Sequence, residues 1–316
     1  MAVWDRDFRV STITLDIDDG DGDGPLTPIR GLISASATAN TEVESEQSAA
    51  STLADNAILK RIRPTIQFTT HDLKAAIDAF GIFGKCIVAD ANDEGLAFYG
   101  QKQSCTGPAS GSVHDKYLLK NALVVPNSLS VSHQGNVALT YDVYTRFDGT
   151  NGPVIYSQDE ALPTITLGPV GRWGMYQLTV GASSATDVRG KRDIRLDFGA
   201  SVTQEGADSE IQDSVVSLSS LLPVLSVRGV DTSWFSTVAP LAGAASAWTY
   251  TKLILKRRDK GLSDATNLTI SMNGLLTPDQ IFNLTVGSPG ESSFKLNCYH
   301  DGTNGAIGTS FGSLLP

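Results

Sequence analysis

The chain has 316 residues, of which 41% are hydrophobic, and it carries a formal net charge of −10 at pH 7. This length is sufficient for one large domain or two ordinary ones. No apolar run approaches the roughly 18 residues of a transmembrane helix, so the composition predicts no membrane partner. The acidic balance argues against sequence-specific binding of nucleic acid, because such binding relies on Lys and Arg at the phosphates.

Cysteine usage and the first residues indicate the compartment. The three cysteines, Cys86, Cys105 and Cys298, are odd in number and lack the spacing of a metal site. Reduced thiols in a protein assembled in the cytoplasm fit this usage best. The chain starts with MAVWDRDFRV, which is charged and contains no apolar signal region, so we expect no secretory targeting.

Short runs in which polar and apolar residues alternate predict β-strands along most of the chain. In order, the clearest runs are FRVSTITL, RPTIQFTT, VALTYDVYTRF, WTYTKLIL, NLTISMNG and FKLNCY. The sequence therefore predicts a mainly-β fold with a minor helical element.

One predicted helix extends from Thr69 to Gly81. Thr69 and Asp72 have the spacing of a capping pair, and Gly81 is a suitable C-terminal stop. Between these positions the apolar residues recur at helical spacing, which predicts one buried stripe. The stripe consists of Leu73, Ala76, Ile77 and Phe80.

The pentapeptide DGTNG occurs twice, at 148–152 and at 301–305. Other similar segments keep the same order in the two halves of the chain. They are ITL (13–15) with LTV (178–180), Ile29-Arg30 with Ile194-Arg195, RPTIQFTTHD (63–72) with LPVLSVRGVD (222–231), and Pro126 with Pro278. Colinear pairs of this kind predict a duplicated domain. We expect a first β domain at 1–160, a linker at 161–171 and a second β domain at 172–316. Each is expected to be a β-sandwich or barrel with a short flanking α-helix.

The DGTNG segments have two interpretations. Asp-Gly and Asn-Gly are frequent in hairpin turns, because both tolerate positive φ. Since turn chemistry explains every residue of the segment, we favour a hairpin tip retained in both halves over a loop that binds a cation or a sugar.

The segment DGDGDG (19–24) begins like a calcium-binding loop, with Asp19, Asp21 and Asp23 at ligand positions. Arg30 occupies the position of the expected bidentate glutamate, which favours a solvated acidic loop. Calcium binding by this loop stays open as an alternative.

No convergent catalytic set is recognisable in the sequence. The four histidines occur in unrelated contexts, and there is no nucleophile elbow, phosphate loop or zinc signature. We therefore predict a protein that is not an enzyme, with no catalytic residues, no metal ligands and no cofactor.

Around its helix the chain resembles the tail-tube family of long-tailed bacteriophages and related injection machines. The resemblance is carried by RPTIQFTTHDLKAAIDAFG (63–81) after a polar excursion at 37–61, and less clearly by LPVLSVRGVDTSWFSTV (222–238). In that family a β-sandwich or barrel with one flanking helix forms rings that stack into a hollow tube. A tandem pair of such domains is also similar to the trimeric tail-hub proteins.

The resemblance implies a structural virion protein of the tail that is assembled in the host cytoplasm. Three copies of a two-domain chain would form a pseudo-hexameric ring, and rings would stack. The other partners implied are further tail proteins and DNA, which passes through the ring without sequence-specific binding.

Two charged segments are candidate sites. Glu42, Glu44 and Glu46 alternate at period two, so a strand would place all three on one face. The resemblance implies that this face lines the lumen, whereas the alternative is an ordinary exposed strand or loop. The second segment is a basic patch at the end of a predicted strand, which we expect to form salt bridges with the acidic half of another subunit. The patch consists of Lys256, Arg257, Arg258 and Lys260.

Two rival functions remain open. One is another virion component, such as a tail hub, a tail terminator or a capsid decoration. The other is a tandem β-sandwich carbohydrate-binding module, which requires exposed aromatic side chains on a sheet face or in loops. The candidate side chains are Trp4, Trp173, Trp234 and Trp248.

Overall fold

The computed structural model describes residues 7–16, 27–47, 56–89, 95–104, 107–108, 114–162, 170–181, 186–207, 210–230, 248–284, 290–300, 302 and 305–314. Within these residues most of the chain forms antiparallel β-strands, and one helix is present. The prediction of a mainly-β fold is confirmed.

The described part of the first half contains the helix and thirteen strands. They are β1 (Asp7–Asp16), β2 (Thr27–Ile29), β3 (Leu32–Thr38), β4 (Thr41–Glu46), β5 (Asn56–Ile62), β6 (Thr65–Thr70), α1 (Leu73–Phe80), β7 (Lys85–Val88), β8 (Gly95–Ser104), β9 (Gly107–Pro108), β10 (His114–Leu119), β11 (Asn121–Ser132), β12 (Ala138–Thr145) and β13 (Ile155–Glu160).

The described part of the second half contains ten strands. They are β14 (Trp173–Val180), β15 (Thr186–Asp187), β16 (Lys191–Asp197), β17 (Ala200–Glu205), β18 (Val215–Leu221), β19 (Val224–Gly229), β20 (Trp248–Arg257), β21 (Leu268–Asn283), β22 (Glu291–Cys298) and β23 (Ile307–Phe311). The second flanking helix is expected around Trp234, which lies outside the described residues.

The largest sheet has 13 strands and contains strands from both halves of the chain. Its order is β15-β14-β20-β21-β22-β19-β16-β11-β12-β6-β3, with β23 also paired to β21 and β7 to β11. A six-stranded sheet has the order β13-β10-β8-β1-β2, with β9 on β8, and the hairpins β4–β5 and β17–β18 form two separate sheets. The two halves meet where β11 pairs with β16, from Ser128 opposite Asp197 to Ser132 opposite Asp193.

Alternation along the strands explains the position of the core. In β12 every second side chain is buried, because successive residues of a strand point to opposite faces. Phe68, Phe80, Phe98 and Tyr141 form an aromatic cluster at the centre of the first half, with ring centroids 5.4 to 5.9 Å apart. Burial raises the pKa of Tyr141, whose hydroxyl donates to the carbonyl oxygen of Gly81 at 2.9 Å.

The helix begins later than the sequence predicts. β6 continues to Thr70, so Thr69 belongs to a strand and the predicted capping pair is wrong. Asp72 is the N-cap, and its Oδ1 accepts a hydrogen bond from the Ala75 N–H at 3.4 Å. Gly81 ends the helix with φ +68°, as predicted, because glycine adopts positive φ without strain.

The first DGTNG segment is a turn organised by Asp148. Its Oδ1 accepts hydrogen bonds from the backbone N–H groups of Thr150 at 2.8 Å and Asn151 at 2.6 Å. The Asn151 side chain also donates to Asp148 Oδ2 at 3.0 Å, and this bond lowers the pKa of Asp148. The turn connects β12 to β13, which belong to different sheets.

The hairpin-tip interpretation of DGTNG is therefore wrong for the first segment. The second segment, most of which is outside the described residues, lies between β22 and β23, and these strands both pair with β21 rather than with each other. Turn dipeptides specify a change of direction, but they do not determine which strands pair.

Certain backbone irregularities occur once in each half. Gly31 and Gly190 have φ of +64° and +61°. The carbonyl oxygen of Gly31 accepts the His71 N–H at 2.9 Å, and that of Gly190 accepts the Val230 N–H at 3.0 Å. Two pairs of register shifts recur in the same way, with one member of each pair in each half. They lie at Val10/Thr12 between β1 and β8, Met175/Gln177 between β14 and β20, Pro126/Ser128 between β11 and β12, and Pro278/Gln280 between β21 and β22.

Candidate assembly surfaces

β3 forms one end of the large sheet. It pairs with β6 on one side, and no strand of the described part of the chain pairs with its other side. The outer N–H and C=O groups of such an edge strand are a template for pairing with another chain. Ile33 on this strand is 52% exposed, which adds an apolar side chain to the open edge.

The last part of β21 forms a second open edge. From Leu268 to Leu275 the strand pairs with β20, whereas from Leu276 to Asn283 the described strands pair only with its β22 side. Phe282 on this edge is 66% exposed. The unpaired edge together with this exposed side chain makes the end of β21 a candidate interaction surface.

The pairing of β11 with β16 shows how two such edges fit together. β11 pairs with β12 on one side and, at its end, with β16 on the other. β21 pairs with β22 as β11 pairs with β12. Likewise, β3 pairs with β6 as β16 pairs with β19. In β3 and in the last part of β21, no described strand pairs with the remaining side.

One face of the large sheet is polar across seven neighbouring strands, from β3 to β22. Asp142 on β12 accepts from Gln67 at 2.8 Å and from Asn127 at 2.6 Å. Further along the sheet, the charged side chains form ion pairs with one another. These are Arg195 with Asp197, Arg228 with Asp193, and Lys295 with Asp279.

In these ion pairs each basic side chain is matched by a carboxylate. The hydrogen bond from Lys295, at 2.7 Å, lowers the pKa of Asp279, and the hydrogen bond to Asp193 raises the pKa of Arg228. Sequence analysis missed this set, although the polar positions of runs such as VALTYDVYTRF and FKLNCY indicate a polar face.

The predicted glutamates lie in a strand of the hairpin β4–β5. Residues Thr41–Glu46 form β4, and every side chain of this strand is exposed. Lys60 of β5 forms an ion pair with Glu44 at 2.7 Å, and this bond raises the pKa of Lys60. Glu42 and Glu46 contribute to the same shift, which places all three carboxylates near one ammonium group. Their role at a lumen remains a prediction.

The two hairpins meet at a buried carboxylate. Asp213, which follows β17 and precedes β18, has a side chain only 1% exposed. Arg63 donates to its Oδ2 from Nε at 2.9 Å, and Arg61 Nε lies 3.3 Å from Oδ1 without hydrogen-bond geometry. The Ile62 N–H donates to the Ile211 carbonyl oxygen at 2.7 Å. This cluster fixes the end of β17–β18 against the first half of the chain.

The predicted basic patch is divided between internal contacts and solvent. Arg257 forms an ion pair with Asp259 at 2.8 Å, and this bond lowers the pKa of Asp259. Arg258 donates to the carbonyl oxygens of Gln134 and Gly135, both at 2.5 Å, and so connects the two halves of the chain.

The other two patch residues are placed differently. Lys256 lines an open recess that also contains His133, Tyr176 and Lys191. Lys260 is exposed at the turn after β20. The contact of these residues with another subunit remains a prediction.

The remaining candidate residues do not form a site in the described part of the chain. Trp173 is 1% exposed and donates from Nε1 to the Thr266 carbonyl oxygen at 2.9 Å, so it is a core residue and not a sugar platform. Trp4 and Trp234 lie outside the described residues, as do the aspartates of DGDGDG. Trp248 lies in β20, but its side chain is not among those described.

The described residues contain no recognisable metal site and no membrane-spanning helix. No group of three or more His, Cys, Asp or Glu side chains there is arranged to hold a metal ion. Nor is any helix of that part long and apolar enough to cross a membrane. A scan against protein-family models finds no match to the chain, and a search of curated proteins finds no similar sequence.

Proposed function

We propose that this chain is a structural subunit, without enzymatic activity, that assembles with copies of itself into rings of a phage-type tail tube. The observation that carries the proposal is the presence of two open strand edges, on β3 and on β21, in one chain. The internal pairing of β11 with β16 supplies a register by which the two edges fit each other in neighbouring copies.

A duplicated domain underlies this match in our proposal. The glycines at 31 and 190 share positive φ and accept equivalent hydrogen bonds, and the bulges recur between corresponding strands. These features support two tandem tube-like domains, with 1–160 and 172–316 as their bounds. They also align Ile29 with Val188, rather than with Ile194 as the sequence offset suggests. Ile29 pairs with Ile13 on β1, and the Val188 N–H donates to the Leu178 carbonyl oxygen on β14. Each of the two residues lies two positions before its glycine.

A contact between unlike edges generates a ring when the rotation between copies closes. Three copies of a two-domain chain form six seams, of which three lie within a chain and three lie between chains. This arrangement supports a trimeric, pseudo-hexameric ring, which stacks with further rings and joins other proteins of a virion tail assembled in the host cytoplasm.

The polar face of the large sheet suits a conduit for DNA. Lys and Arg bind phosphates by releasing counterions, so free bases on a channel wall would hold the DNA. On this face the bases Arg195, Arg228 and Lys295 are each paired with a carboxylate. In our proposal DNA therefore meets a wall whose described cations are paired, and it passes through without being bound at any one position.

A cross-link between neighbouring copies tests the proposal. Ser128 and Asp197 are partners across the internal seam, and the equivalent positions of the open edges are Gln280 and Thr38. Within one chain these two positions are separated by seven strand spacings, roughly 30 Å along the sheet, far beyond disulfide reach.

We expect the Thr38→Cys, Gln280→Cys double variant to form covalent trimers under mild oxidation, whereas either single variant does not. Negative-stain micrographs of the wild type should show rings. A chain that stays monomeric at high concentration would contradict the proposal, as would a ring of six whole chains. Rings that never stack would favour the rival tail hub or terminator over the tube.

A further inference from the structure

The hairpin β4–β5 has an apolar face opposite its glutamates. Val43 and Leu59 are cross-strand partners on this face, and they are 58% and 39% exposed. Side chains alternate along a strand, so Val43 lies on the opposite side from Glu42 and Glu44. Exposed β-branched and leucine side chains paired across two strands leave apolar surface in contact with water.

The hairpin β17–β18 shows what covers such a face. Val202 and Leu218 are cross-strand partners beside a register shift, as Val43 and Leu59 are in β4–β5. Here, however, both side chains are half-buried, and both strands of the hairpin contact β11. A backbone hydrogen bond adds to this contact: the Phe198 N–H, just before β17, donates to the Asn127 carbonyl oxygen of β11 at 2.9 Å.

The chain has an uncovered counterpart of that β11 surface. In the first half, Arg63 and Arg146 flank the covered surface and bind Asp213 and the Ser214 carbonyl oxygen. Two pairs of equivalent backbone hydrogen bonds identify the matching positions in the second half. The Arg63 N–H donates to the Asn40 carbonyl oxygen, and at the matching position the Leu222 N–H donates to that of Gly199. In the same way the Arg146 N–H donates to the Asn121 carbonyl oxygen, and the Tyr299 N–H donates to that of Asn273.

The matching positions are apolar and exposed. Leu222 is 67% exposed and Tyr299 is 43% exposed. An apolar receiving surface therefore faces solvent on one side of the molecule, and an apolar hairpin face is exposed elsewhere on the same chain.

We infer that the Val43–Leu59 face docks on β21 of a second copy of this chain, between its Leu222 and Tyr299. The inference rests on the proposed self-assembly and specifies its contact. The glutamates of β4 then face away from the partner, as Ser201 and Thr203 face solvent in β17–β18.

The test replaces both apolar residues in the full chain. Docking removes about half of each side chain from water, so Val43→Ser with Leu59→Ser should weaken association by about 25-fold. Ile58→Ser is the matched control, because Ile58 is 47% exposed on the same hairpin but on the glutamate face, opposite Glu44. Association is measured by sedimentation, and circular dichroism verifies that each variant is folded.

The outcomes separate the two proposals. If the wild type does not associate, the proposed ring fails, and the docking contact fails with it. If the wild type associates and the double variant associates equally well, the ring stands and the docking contact is overturned. A loss in the Ile58→Ser variant equal to that of the double variant also overturns it, since the wrong face would then be engaged.

A measurement on the unmodified protein guards against variants that misfold. Hydroxyl-radical footprinting compares the dilute and the assembled wild type. Leu59 and Tyr299 should lose reactivity on assembly while Ile58 keeps it. Unchanged reactivity of Leu59 in assembled protein would overturn the inference.

Discussion

Replacing Asp213 by alanine should destabilise the fold by about 2–3 kcal/mol. The charge-assisted hydrogen bond from Arg63 at 2.9 Å accounts for about 1.5–3 kcal/mol of this loss. The contact with Arg61 is longer, and that arginine is 32% exposed, so solvent screening limits it to about 0–1 kcal/mol. Relief of the cost of burying the carboxylate offsets part of the loss. With about 2 cal/mol/K of unfolding entropy per residue, the expected fall in Tm is about 3–5 °C.

Thermal and urea unfolding of the variant measure this effect. Asp259→Ala is the matched control, because Asp259 also binds an arginine, at 2.8 Å, but is 49% exposed. The control should lose no more than about 1 kcal/mol, since surface ion pairs contribute little. Equal losses in the two variants would refute the argument that burial makes the Asp213 cluster a strong connection between the hairpin and the first half.

Three further predictions concern charge, thiol chemistry and backbone space. Replacing the three glutamates of β4 together by lysine should leave rings able to assemble but slow DNA passage; normal ejection by particles that carry this variant would refute the electrostatic role. Burial raises the pKa of Cys298 to about 12, so at pH 8 iodoacetamide should alkylate exposed Cys86 and spare Cys298, as peptide mapping would show. Because the unfolded thiol ionises first, this group should lower stability as pH rises from about 9 towards 12, and a flat profile in a comparison with Cys298→Ala would contradict that sign. Gly95→Ala should cost more than Gly149→Ala in urea unfolding: both glycines have positive φ, but a Cβ at Gly95 lies 2.5 Å from the Leu119 carbonyl oxygen and one at Gly149 meets nothing within 4 Å. Equal losses of unfolding free energy would show that the strain of positive φ alone determines the effect of both substitutions.

Local patterns predicted the local structure well. Alternation located strands such as β6 and β12, and the stop at Gly81 is confirmed. The helix start was wrong because Thr69 fits a strand as well as a cap, and its hydroxyl bonds with that of Thr140 on the neighbouring strand. That choice depends on a partner 71 residues away, which a local pattern does not contain.

Surfaces formed by distant strands could not be predicted in the same way. The polar face joins Asp193 on β16 with Arg228 on β19, and neither residue is distinctive in its own segment. The open edges of β3 and β21 become visible only when every other pairing of the sheet is known. Period-two alternation of charge is a local signal, so Glu42, Glu44 and Glu46 could be singled out from the sequence, and the structure places them in the exposed strand β4 rather than in a loop.

The pairing of β11 with β16 inside one chain has a consequence for how a ring forms. A seam within a chain closes without loss of translational freedom, so its strength does not depend on protein concentration. A seam between copies does depend on it, by mass action. In the proposed ring the two kinds of seam alternate. Substitutions at Ser128–Ser132 would change the stability of a single subunit. Substitutions at Gln280 or Thr38 would change only the protein concentration at which rings appear. Joining the three copies into one continuous chain would therefore remove this dependence on concentration without altering a single contact.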